Sequence, residues 1–191
     1  MRFDALYEET IRTVLFEMKS ARIALLPGGF KPPHKGHFAA LEHIINENNA
    51  ATAIVFIGKK ERDGITAEQS KAIWDIYGKY LNVSVTVAIS DVTPVKDVYD
   101  YADTARTTPL FIGAGEEDMA RYSWFEKHKD DFPLVNLVAI PPQFGRISGT
   151  DTRKMIQDND LESLNFIPDK VHWSDKDIIY REVLGLTVSS P

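Results

Sequence analysis

Residues 23–37 read Ile23-Ala24-Leu25-Leu26-Pro27-Gly28-Gly29-Phe30-Lys31-Pro32-Pro33-His34-Lys35-Gly36-His37, and the fold is decided by how this stretch must run. Ile23–Leu26 is a short apolar run bounded by turn residues, as expected of a strand buried on both faces. Gly28-Gly29 lets the backbone turn sharply and approach a ligand closely. Pro32 and Pro33 hold the next residues extended, because proline disfavours helix for the residue before it. A helix can begin only near Gly36, with Phe38, Leu41, Ile44 and Ile45 as its apolar stripe. His34 and His37 then stand at a helix N-terminus, where free backbone N–H groups and positive potential suit a phosphate. With Lys31 or Lys35 beside them, the expected feature is a phosphate cradle with side-chain donors. A His-x-x-His pair on a helix is usually a solvated pair, but this one follows a strand, Gly-Gly and Pro-Pro. No third ligand lies nearby in sequence, so no zinc site is expected and no protein metal residue is assigned.

Outward from this stretch, apolar runs recur at Ala53–Ile57, Val83–Ile89, Leu110–Ile112 and Leu134–Ile140. Helical patterns alternate with them. Thr66-Ala67-Glu68-Gln69 reads as a capping box opening a helix whose core face is Ile73, Ile76, Tyr77 and Tyr80. Further helices are expected over Val95–Arg106, Glu116–Lys129, Thr150–Asp158 and Asp175–Leu184. Strand and helix in alternation predict an α/β fold, a Rossmann-like, doubly wound, parallel five-stranded sheet with ligands at the carboxyl ends of its strands. The core domain is expected over residues 21–158. Phe3, Leu6, Tyr7, Ile11, Val14, Leu15 and Met18 have helical spacing, so residues 1–20 read as a helical extension, packed on its own domain or against a partner in a homo-oligomer. Residues 159–191, with Phe166, Ile167, Trp173, Ile178 and Ile179, read as a helical cap packed on the same domain, its last residues Thr187–Pro191 frayed.

Composition narrows the class. The 191 residues carry a net charge of −6 and no cysteine. That excludes disulfides and thiolate chemistry, fits a reducing cytoplasm, and argues against a general nucleic-acid surface. No apolar run is long enough to span a membrane. An anion site must be a local basic pocket in an acidic body.

The cradle resembles the G-x-F-x-P-x-H-x-G-H motif of the nucleotidyltransferase superfamily at Gly28, Phe30, Pro32, His34, Gly36 and His37. Near the end of the core domain, Ile147-Ser148-Gly149-Thr150-Asp151-Thr152-Arg153 is similar to the family's I-S-x-T-x-x-R motif. Read alone, Ser148 and Thr150 are helix N-caps and Arg153 a surface cation. The resemblance implies that Ser148, Thr150 and Arg153 contact a triphosphate tail, with Gly149 among them. It also implies that His34 and His37, assisted by Lys35 and Lys31, stabilise charge on the α-phosphate. Gly113-Ala114-Gly115-Glu116 resembles the stretch placed beside adenosine, with Gly115 at the acidic position and Glu116 or Asp118 as substitutes; a turn followed by an acidic helix start explains it equally well. Lys59, Lys60 and Arg62 are either solvated surface or donors to an acceptor's phosphate. Trp74, Tyr99, Tyr101, Phe144 and Trp173 are candidates to stack on an aromatic ring, or core and surface aromatics.

The implied activity is transfer of AMP from ATP to a phosphate-bearing small molecule, with pyrophosphate released and Mg²⁺ carried mainly on nucleotide phosphates. Ser-Gly-Thr-x-x-Arg looks closest to archaeal-type nicotinamide mononucleotide adenylyltransferases, so nicotinamide or nicotinate mononucleotide is the favoured acceptor. Cytidylyl transfer and a pantetheine-phosphate acceptor remain alternatives. So does a non-catalytic nucleotide-binding protein on the same fold. Class I aminoacyl-tRNA synthetases share the H-x-G-H loop, but this chain is short, acidic and lacks a K-M-S-K-S-like segment.

Overall fold

The computed structural model describes residues 22–141, 147–160 and 165–186. The expected N-terminal helix, Phe144 and the expected frayed end Thr187–Pro191 lie outside the described residues. Five strands, β1 (Ile23–Gly28), β2 (Thr52–Ile57), β3 (Ser84–Ile89), β4 (Leu110–Gly115) and β5 (Val135–Ile140), form one sheet in the order β3-β2-β1-β4-β5. Every pairing is parallel. The three central strands are short and largely covered on both faces, the pattern that parallel sheets require, whereas edge strand β3 exposes Ser84 and Thr86.

Helices α1 (Lys35–Asn48) and α2 (Ala67–Gly78) cover one face. Their residues Leu41, Ile44, Ile73 and Trp74 share a core with Ile156 of α5 (Gly149–Gln157) and with Phe166, Ile167, Val171 and Ile179 beyond it. The last two residues flank α6 (Trp173–Ile178), which runs on into a wider turn over Ile179–Val183. Helices α3 (Pro94–Thr104) and α4 (Ser123–Lys127) cover the other face through Val98, Ala102 and Phe125, joined by Phe132 from the turn after α4. Thr66 and Gln69 make the expected reciprocal cap of α2, each side chain bonding the other's backbone N–H at 3.1 and 2.9 Å.

Three local expectations are corrected. The fourth strand, expected over Leu110–Ile112 and followed by a turn, runs on through Gly113 and Ala114 to Gly115. The single helix expected over Glu116–Lys129 is a 3-10 turn, Glu116–Tyr122, followed by α4. Tyr122 and Phe125 both stack on Tyr99, at 6.3 and 4.5 Å between centroids, and Ser123 Oγ donates back to the Ala120 carbonyl at 2.9 Å. A spacing of three suits the tighter helix. The first strand, expected to stop at Leu26, continues through Pro27 to Gly28.

That proline shapes the sheet. Ile23 N–H donates to the Pro109 carbonyl, so Ile23, Leu25 and Pro27 direct their backbone polar groups toward β4. Pro27 has no N–H to continue the ladder. The β1–β4 pairing accordingly ends at Leu25↔Ile112, whereas β1–β2 runs to Gly28↔Ile57 and β4–β5 to Gly115↔Ile140. The sheet splits at its carboxyl end between β1 and β4, the point where the strand order reverses and where doubly wound folds bind ligands.

Candidate active site

Beyond β1 the chain turns through Gly28-Gly29 and folds Phe30 back over it. A Cβ on Gly28 would lie 2.5 Å from the Phe30 ring, and Phe30 itself has φ of 49°. Phe30 meets the His37 ring edge-on at 4.9 Å, and His37 stacks on His34 at 3.6 Å. His34 is the N-cap of α1, and its backbone N–H donates to His37 Nδ1 at 3.2 Å. That bond makes Nδ1 the acceptor, so neutral His37 carries its proton on Nε2. Burial pushes His34 down to about 4. Burial, then the His34 ring, hold His37 well below the ordinary imidazole range. Both rings are thus neutral donors at pH 7. His34 Nδ1 is buried with no hydrogen-bond partner among the described residues. Lys35 N–H, at the first position of α1, is taken by the Phe166 carbonyl at 2.6 Å.

The two motifs meet. Ser148 caps α5, its Oγ accepting from Thr150 and Asp151 N–H at 3.2 and 3.3 Å. Arg153, one turn on, donates through Nη1 to the Lys31 carbonyl at 2.9 Å, through Nη2 to Thr150 Oγ1 at 3.1 Å, and through Nε to Asp63 at 2.5 Å. Gly149 leaves room for this: a Cβ there would sit 3.3 Å from Arg153 Nη1.

The remaining residues of the sequence reading are dispersed. Lys31 is 4 % exposed and bonds the carbonyls of Gly29 and Gly58 at 2.9 and 2.7 Å, tying the loop after β1 to the loop after β2. Burial, then the Arg62 charge, lower its pKa to about 8 against an opposing pull from Glu68. Lys35 lines a separate pocket of about 210 Å³ with Phe38, Glu42 and Pro168. Gly113 is buried inside β4, where a Cβ would lie 2.1 Å from Ile44 Cδ1, whereas Gly115 and Glu116 are exposed at the strand's end. Trp74 is fully buried between Phe30 and Tyr77, at 5.4 and 5.7 Å, and so has no face to offer a ligand.

A cleft of about 720 Å³ opens at the split edge, lined by Pro27, Gly28, Gly29, Gly58, Lys59, Lys60 and Arg62, by Val92–Val95, and by Ala114, Asp118, Arg121 and Tyr122. It gathers four cations, of which Arg121 pairs with Asp118 at 3.1 Å. Among the described residues Lys59, Lys60 and Arg62 form no ion pair. His34 and His37, on the helix that covers the opposite face, are not among the cleft's lining residues; Gly28 and Gly29, which precede them in the loop, are. Asp118, expected beside the adenosine, lines this cleft, whereas Asp63, Arg121 and Tyr122 have no expected role; of these three only Asp63, in a turn dipeptide beside the cations, carries a local signal in the sequence. Among the described residues no three His, Asp or Glu side chains converge to hold a metal, and no helix is long and apolar enough to cross a membrane.

No family model and no curated protein matches the chain in sequence. Solved structures do match its fold. A Vibrio parahaemolyticus protein assigned as a nicotinate-nucleotide adenylyltransferase superposes with a TM-score of 0.58 at 16% identity, over 78% of this chain and 95% of its own. A Plasmodium falciparum nicotinic acid mononucleotide adenylyltransferase complexed with NaAD superposes with a TM-score of 0.53 at 17% identity, over 85% and 97% of the two chains. The same enzyme complexed with APC gives 0.55 at 15%, over 88% and 99%. At these identities the likeness establishes a shared Rossmann-like α/β fold.

Proposed function

We propose that this protein is a nucleotidyltransferase that moves AMP from ATP to the phosphate of a small acceptor, with nicotinate or nicotinamide mononucleotide favoured. The observation that carries the reading is the join at the split edge. Residues 28–37 and 148–153 come together through Arg153 and the Lys31 carbonyl beside a cleft lined with cations. The fold neighbours are named as adenylyltransferases of nicotinate mononucleotide, which supports the choice of nucleotide and acceptor.

The chemistry asks little of the side chains. An acceptor phosphate, with a second pKa near 6, is already a nucleophile at neutral pH. Its oxygen bonds to the α-phosphorus as the bond to the bridging oxygen of the β-phosphate breaks, and pyrophosphate leaves with that electron pair. The neutral Nε2–H of His37 and the ring of His34 donate to α-phosphate oxygens as negative charge grows there. Arg153, Thr150 and Ser148 hold the leaving group, and Lys59, Lys60 and Arg62 hold the acceptor's phosphate. Lys31 acts on the loops rather than on the substrate. The site's two carboxylates, Asp63 and Asp118, are each paired with an arginine, which fits a nucleotide bringing Mg²⁺ on its remaining phosphate oxygens. Positioning and fixed dipoles supply most of the acceleration.

The test is pyrophosphate release with Mg²⁺, using ATP and CTP separately against nicotinate mononucleotide, nicotinamide mononucleotide, phosphopantetheine and glycerol 3-phosphate. Release with ATP and a pyridine mononucleotide, lost in His37→Ala, is expected. Release with CTP alone would overturn the choice of nucleotide. Nucleotide binding without release from any pair would identify a binding protein on this fold.

A further inference from the structure

The turn at Asp63-Gly64 touches both halves of the site. Asp63 and Gly64 have φ of 50° and 80°, and Arg62 and Ile65 close the turn with paired backbone bonds of 3.2 and 2.9 Å. This is a two-residue hairpin whose left-handed positions suit Asp-Gly. Its tip is fastened to α5 twice. Asp63 Oδ2 lies 2.5 Å from Arg153 Nε, and Gln157 Nε2 donates to the Asp63 carbonyl at 3.2 Å. Its base is the strip that puts Lys59, Lys60 and Arg62 into the cleft.

The fastening is unequal in a telling way. The Arg153 side chain is 12% exposed and the Asp63 side chain 56%, so the carboxylate covers the outer side of an otherwise enclosed cation. The Asp63 carboxylate has no second side-chain partner among the described residues. A phosphate approaching Arg153 finds an anion already there. The two compete for one guanidinium and repel each other.

We infer, resting on the nucleotidyl-transfer reading, that Asp63 is a positioning residue. Its carboxylate competes with the triphosphate for Arg153, and its displacement frees the hairpin so that Lys59, Lys60 and Arg62 close on the acceptor's phosphate. The latch lowers nucleotide affinity by the fraction of molecules that have it open. It also couples the two substrate sites, and the coupling is reciprocal, each substrate raising affinity for the other by one common factor.

The experiment is calorimetric titration of Mg²⁺-ATP into wild type, Asp63→Asn and Arg153→Ala, each with and without nicotinate mononucleotide. Asparagine tolerates the left-handed backbone at this position. Asp63→Asn should bind ATP about fivefold more tightly, the scale of one partly exposed ion pair. The enhancement of ATP affinity by the mononucleotide, present in wild type, should fall to unity. Asp63→Ser should behave in the same way if the asparagine variant does not fold. A merely structural Asp63 would lower the melting temperature and leave the ATP affinity and the coupling factor unmoved, which would overturn the latch. Unchanged or weaker ATP binding in Asp63→Asn, with wild type binding and Arg153→Ala losing it, would likewise overturn the latch and leave the nucleotide site standing. Failure of wild type to bind ATP would overturn the nucleotidyl-transfer reading, and the latch with it.

Discussion

Arg153 Nη1 donates to the backbone carbonyl of Lys31 over 2.9 Å, joining two segments 122 positions apart in the chain. The acceptor is a main-chain atom, so the join depends on the arginine and on the path of the loop. That path is fixed from below by Lys31 Nζ on the Gly29 and Gly58 carbonyls.

His34→Ala should lower kcat with ATP by about 10²–10³-fold, the scale of one lost donor to a developing oxyanion, with a much smaller change in KM. Steady-state kinetics with ATP varied at saturating acceptor separates the two. Unchanged turnover would remove His34 from the reacting centre.

Stability should depend on pH through the same residue. The folded pKa of His34 is about 4, against 6.5 for the free imidazole, so between these values the unfolded chain binds more protons. The contribution is complete above pH 6.5 and is lost as pH falls toward 4, on the order of 3 kcal/mol at about 1.4 kcal/mol per pKa unit. Urea midpoints measured from pH 7 to pH 4 should fall, and fall less in His34→Gln. Equal slopes for both proteins would contradict the burial of that ring.

Two glycines should answer differently to the same methyl group. Gly113→Ala drives a Cβ to 2.1 Å from Ile44 Cδ1, and should cost about 1–3 kcal/mol in thermal or urea unfolding. Gly149→Ala meets Arg153 Nη1 at 3.3 Å and, in ordinary contact, the Lys31 carbonyl at 3.9 Å. It should leave stability near wild type and raise KM for ATP about fivefold, the worth of one hydrogen bond of about 1 kcal/mol. A stability loss at Gly149 with KM unchanged would mean that the glycine serves packing instead.

The sequence made legible those features that a local rule determines. Two prolines and a glycine pair confine the start of α1 to within a residue of where it lies, and the Thr66–Gln69 cap is the one its spacing implies. Alternating runs of branched residues place all five strands. What stayed hidden depends on partners far along the chain. Trp74 could not be known to lie between Phe30 and Tyr77, nor Gly113 beneath Ile44, because burial belongs to the assembled layers. The stretch 116–129 has an ordinary helical composition, and its contacts with Tyr99, through Tyr122 and Phe125, belong to the assembled layers. The Asp63–Arg153 pair spans 90 positions, and no spacing rule reaches that far.

Pro27 leaves a mark on how any ligand in the crevice would be recognised. The alternation that turns Leu110 N–H toward β5 turns the Gly113 carbonyl and the Gly115 N–H toward β1, where the ladder has stopped. The main chain of β4 therefore carries an acceptor and a donor on the side of the split, and no exchange of side chains removes them. Recognition resting on that edge would be silent in an alanine scan. It would respond instead to atom-by-atom changes in the ligand, such as deletion of one exocyclic amine or one ring nitrogen.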